Sequence, residues 1–201
     1  MNNCRGEVYH EKQVKQLCAL HALNNLFQQP CTFSKEELDT ICQDLSPDCW
    51  INPHRSALGL GNYDVNIIMA ALQNKGFEAV WFDKRKDPMQ LELNNVYGFI
   101  MNIPSNCRFK FVVLPFQRRH WIAIRQVNGC YYNLDSKLNL PQKIGTSTEL
   151  VDFLREQIKC PEKELFIIVS NDSERRRLWL HDVNDNDNAN KHSLNNEISD
   201  S

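Results

Sequence analysis

The chain has 201 residues, 42% of them hydrophobic and 24% charged, which suits one globular domain with its own core plus short tails. Its 23 basic and 25 acidic side chains leave a formal net charge of −2, a balance that suggests neither a nucleic-acid binder nor a highly charged substrate. No stretch approaches the roughly 18 uninterrupted apolar residues of a membrane helix, and the first 13 residues have no apolar region resembling a signal peptide, so a soluble cytoplasmic protein is expected.

In chain order, residues 1–6 read as a tail. Residues 18–27 carry leucines at 20, 23 and 26, following Leu17, which predicts a largely buried helix with Cys18 in its first turn. A second helix starts after Ser34, where Ser34 and Glu37 suit a capping box and Phe33 can staple onto Leu38. Residues 46–63 are rich in Pro, Gly, Asn and Ser and read as a loop; Asp64 then caps a helix over 65–75 that Gly76 stops. Beyond it the period changes, and 77–82, 96–103, 109–114, 121–127, 130–134 and 165–169 read as strands, with a helix over 147–158 between the last two. Helices first and a meandering sheet second is the order of an α+β fold. From residue 172 the apolar pattern fades into a polar, acidic segment, read as a disordered tail over 172–201.

The eight cysteines, at positions 4, 18, 31, 42, 49, 107, 130 and 160, form no CxxC pair, which argues against zinc ribbons, redox dithiols and a disulfide framework. Asn128-Gly129 between two strand-like runs is a strong hairpin signal, since both residues accept the positive φ of a type I′ turn. A two-residue loop sets Val127 opposite Cys130, Arg125 opposite Tyr132, Ile122 opposite Asp135 and His120 opposite Lys137. His120 and Asp135 are then diagonal neighbours on one face, with Cβ atoms about 7 Å apart, whereas Asn133 opposes Ile124 and is too distant. A histidine oriented by a carboxylate presents its other nitrogen as a base. Cys18 is the candidate nucleophile, because the first helical turn offers N–H groups and the positive dipole end to a sulfur anion. Gln13 could add a side-chain N–H to an oxyanion beside the Cys18 amide. Each residue alone has a plainer reading: a cysteine in an apolar helix is usually core, a His–Asp pair usually structural, Trp121 packing, and His21 a satisfied helix histidine.

These residues resemble a known family. His10-Glu11-Lys12-Gln13, the run Leu17 to Asn25 (LCALHALNN), Arg119-His120-Trp121 and Tyr132-Asn133-Leu134-Asp135-Ser136 resemble the Josephin domain, and the likeness runs from about residue 7 to 169. It is nearest the short Josephin-1/Josephin-2 type in GNYDVNIIMAALQNKGFEAVWFDKR (61–85) and GFIMNIP (98–104).

The resemblance implies a papain-like α+β fold over 7–171 and a thiol-dependent deubiquitinase in which Gln13 forms part of the oxyanion hole, Cys18 attacks, His120 is base and then acid, and Asp135 orients it. No metal or cofactor is implied. The partners implied are ubiquitin, polyubiquitin and ubiquitinated proteins, met by a monomer, and the gating arm of the family falls at about 46–63. The ataxin member of the family has Asn at the third triad position where this chain has Asp135, and no ubiquitin-interacting helices follow the domain here. A ubiquitin-binding module with little activity is a second reading, and an amidase or acyltransferase acting on a small molecule a third.

Overall fold

The computed structural model describes residues 7–14, 16–47, 63–109 and 112–181. The tail expected at 1–6, residues 182–201 of the tail expected at 172–201, and nearly all of the predicted arm at 46–63 lie outside these residues. Three helices come first: α1 (Cys18–Phe27), α2 (Lys35–Leu45) and α3 (Val65–Gln73). Side chains start two of them as expected. Ser34 Oγ accepts from the Glu37 amide, and the Asp64 carboxylate accepts from the amides of Asn66 and Ile67. Past α3 the chain turns at Gly76, whose φ of +83° costs a glycine little.

Six strands follow: β1 (Phe77–Trp81), β2 (Gly98–Phe109), β3 (Val112–Val127), β4 (Cys130–Asn133), β5 (Gln142–Gly145) and β6 (Glu164–Ser170). They form one sheet in the order β1-β6-β2-β3-β4-β5, with every pairing antiparallel. Helix α4 (Ser147–Ile158) opens with the Thr146/Glu149 capping box. Alternation along the strands divides the core. Ile100, Trp121, Ala123, Phe166 and Ile168 pack with α1, α2 and α3 on one face, and Phe99, Met101, Ile122, Leu165 and Ile167 pack with Leu150 and Leu154 of α4 on the other. The continuous apolar run Leu165 to Val169 is what a central strand covered on both faces requires.

The hairpin is as predicted: Asn128 and Gly129 have φ of 50° and 79°, and Val127 pairs with Cys130, Arg125 with Tyr132 and Ile124 with Asn133. Three features differ from the sequence reading. The strands expected at 109–114 and 121–127 are one strand, because β3 stays paired through the polar residues 117–119, with Ser105 opposite Arg118 and Asn106 opposite Gln117. The polar strand β5 carries no hydrophobic alternation and is held by pairing with β4. The fold also does not stop at 171. Helix α5 (Asn171–Arg175) is capped by Ser170, Trp179 enters the second core, and Leu180 bridges Leu91. The arginines at 175–177 mask that apolar end in the sequence. Among the described residues no helix is long and apolar enough to cross a membrane.

Candidate active site

Cys18 is the first residue of α1 and is buried. The N-cap is Leu17, which has no side-chain oxygen to offer the first-turn amides. The helix dipole favours an anion forming at this end.

His120 lies in β3 with 2% of its surface exposed, and its Nε2 is 2.6 Å from Asp135 Oδ1. Nδ1 is then the nitrogen left for Cys18, which lies within hydrogen-bonding reach of the ring. Burial alone would push the imidazole down. Hydrogen bonds with Asp135 and Cys18, and the attraction that goes with them, hold it above the ordinary histidine value. Burial acts upward on Asp135, but the His120 hydrogen bond, the Lys137 amide and the nearby positive charge hold its carboxyl below the usual range.

Asp135 lies just past the end of β4. The Leu134 amide still donates to the Ala123 carbonyl at 2.8 Å, which keeps the hairpin register one residue beyond the strand. The Asp135 amide instead donates to Asn133 Oδ1 at 3.1 Å, so Asn133 supports the turn that carries Asp135. The N-terminal segment fixes that turn from the other side. His10 Nε2 is 3.0 Å from the Asp135 carbonyl oxygen, the Gln13 amide donates to the Ser136 carbonyl at 2.8 Å, and Ser136 Oγ donates to Gln13 Oε1 at 3.5 Å. Gln13 is therefore tied to the residue that follows Asp135.

Sequence reasoning did not give Asn24 and Asn25 a role, and they bind these parts together. Asn25 Nδ2 donates to the carbonyls of Glu11 and Leu134 at 3.2 and 3.1 Å, and its Oδ1 accepts from the Glu11 amide. Asn24 Nδ2 donates to Glu11 Oε2 and to the Phe33 carbonyl. Buried amides in an otherwise apolar helix were the available signal. His21 is a satisfied helix histidine, with Nδ1 2.9 Å from Glu11 Oε2 and Nε2 accepting from the Val14 amide at 3.1 Å.

A cavity of about 430 Å³ opens beside Cys18, walled by Tyr63, Trp81, Trp121 and Phe166 and bordered by Asn102 and Glu164. Trp121 is both packing and lining: its Nε1 donates to the Tyr63 carbonyl at 2.9 Å while its ring faces the cavity. A cysteine thiol, an imidazole oriented by a carboxylate and the start of a helix at one end of an aromatic-walled cleft can carry out acyl transfer.

The Josephin family profile matches residues 13–169. The chain belongs to the Josephin family. That membership puts it in the cysteine-protease deubiquitinase class. Among its relatives, a Josephin-like protein of Drosophila melanogaster is 51% identical over 178 residues, covering 86% of this chain and 80% of that one. Josephin-2 of Homo sapiens is 50% identical over 173 residues, covering 86% and 92%. Ataxin-3 of Homo sapiens is more distant, 27% identical over 179 residues and matched over 45% of its length. A Trichinella spiralis UCH37 structure bound to ubiquitin vinyl methyl ester shares 11% identity, with 62% of this chain and 81% of that chain covered and a TM-score of 0.38.

Proposed function

We propose that this Josephin chain hydrolyses the peptide or isopeptide bond at the C-terminus of ubiquitin through Cys18, His120 and Asp135, with Gln13 in the oxyanion hole. The observation that carries the reading is the buried His120 ring, held at Nε2 by Asp135 at 2.6 Å with Cys18 in reach of the other side. The Cys18 thiolate adds to the carbonyl carbon of the last glycine, and the oxygen takes the negative charge opposite the Cys18 amide and the Gln13 side chain. The tetrahedral adduct collapses as the C–N bond breaks, and the imidazolium of His120 gives its proton to the leaving amine. Water then attacks the thioester while His120 takes its proton. The C–S bond breaks, releasing the ubiquitin carboxylate and restoring the thiolate. Asp135 holds the ring in one tautomer and stabilises its charge throughout.

The aromatic walls of the cavity suit an extended, narrow tail such as a diglycine end, which leaves selectivity to contacts with the ubiquitin body. The test is turnover of a ubiquitin–fluorophore amide. Cys18→Ala should abolish it and Asp135→Asn should lower kcat by at least tenfold with little change in KM. Turnover that survives Cys18→Ala would overturn the proposal.

A further inference from the structure

Asn102 and Glu164 stand directly opposite each other across β2 and β6. Asn102 Oδ1 and Glu164 Oε2 are both buried, and neither has a hydrogen-bond partner among the described residues. Asn102 is 5% exposed, and both residues border the cavity that holds Cys18. Buried acceptors are nearly always paired, so two orphans meeting at one cross-strand pair beside a nucleophile need a chemical reason.

Neighbouring cations do not supply one. Lys84 Nζ is 3.6 Å from the other carboxylate oxygen, Glu164 Oε1, and it donates to the Pro161 carbonyl at 2.8 Å. Arg119 also borders the cavity, but its Nη1 donates to the Glu162 carbonyl at 2.6 Å. What remains is a carboxylate oxygen and an amide oxygen bordering a cavity that is also lined by Trp81 and Phe166, whose ring centroids are 5.2 Å apart with the planes inclined at 57°. Trp81, 58% exposed, forms the rim. Two acceptors in a cleft lined by aromatic rings match a cation that donates several N–H groups.

We infer that Asn102 and Glu164 form a subsite for a basic side chain, a guanidinium before an ammonium, carried by the ubiquitin tail close to the scissile bond. The inference rests on the proposed function for the identity of the tail. Without substrate the acceptors are unpaired among the described residues; with substrate bound the cation fills them, so binding energy is spent next to the reacting carbonyl. The partner's charge is set by Glu164, and the Trp81 and Phe166 rings line the path of its stem.

The test uses the full chain in two forms, Cys18→Ala alone and Cys18→Ala with Glu164→Gln, titrated with ubiquitin and with variants in which each basic tail residue is replaced in turn by glutamine. We expect Glu164→Gln to weaken binding of unaltered ubiquitin about tenfold and to cause no further loss with the one variant that lacks the cognate basic residue. Asn102→Leu should weaken the same binding while leaving Tm of the free protein unchanged or raised, since it removes an unpaired acceptor. Equal loss on every tail variant, no loss at all, or a lowered Tm with intact binding would each overturn the subsite. Failure of the function reads differently: tight, tail-dependent binding with no turnover by the unsubstituted chain would refute the proposed hydrolysis and leave the subsite standing. No affinity for ubiquitin in any form would refute both.

Discussion

At the scale of single residues, the geometry turns on how burial and pairing compete at His120. Desolvation disfavours the charged ring, and the bonds to Asp135 and Cys18 reverse that preference. Linkage follows with a definite sign. The folded His120 value is raised, so its contribution to stability is complete below the unfolded value of about 6.5 and is lost as pH rises through the folded one. Asp135 is depressed, so its contribution is present above an unfolded value of about 3.9 and is lost as pH falls through the folded one. Replacing Asp135 with Asn removes the carboxylate but keeps a hydrogen-bonding amide. His120 should then titrate at lower pH than in the wild type, read from its ring resonances by NMR. An unchanged titration would show that Asp135 does not set the ring's charge. The pair itself was legible in the sequence because Asn128-Gly129 sets the register and strand parity does the rest. Asn24 and Asn25 were not, since their value lies in partners 9 to 109 residues away.

At the scale of elements, the helices were readable where a side chain starts them, as Ser34 and Asp64 do, and the central strand β6 where an unbroken apolar run names it. The polar strand β5 and the polar middle of β3 are held by neighbours and have no periodic signature of their own. One glycine shows how tightly the elements meet. A Cβ on Gly98, at the start of β2, would lie 2.6 Å from Leu26 Cδ1 of α1 and 2.9 Å from the Ile124 carbonyl oxygen of β3. Backbone cannot yield as a flexible side chain can, so Gly98→Ala should cost about 1–3 kcal/mol. Chemical denaturation should report it as a lower midpoint with an unchanged slope. Since α1 also carries Cys18, the same variant should lose activity. An unaltered midpoint would mean that α1 and the sheet are packed more loosely than described.

At the scale of the whole molecule, the site exists only where separate parts of the chain converge. The N-terminal segment brings Gln13, α1 brings Cys18, β3 brings His120 and the turn after β4 brings Asp135, with Asn25 joining the first of these to the last. Order along the chain suggested that convergence, and the likeness to Josephin sequences named it. The cavity and its two orphan acceptors could not be foreseen, because an unpaired oxygen is a relation among neighbours and leaves no motif. The end of the fold was also hidden, since Trp179 follows three arginines that read as a solvated run. The measurement that bears most directly on the proposed function is the intact mass of the wild type and of Cys18→Ala after incubation with ubiquitin carrying a C-terminal electrophile. One ubiquitin should add to the wild type and none to the variant, as the proposed function requires. An adduct on both, or ubiquitin bound without any adduct on the wild type, would contradict it.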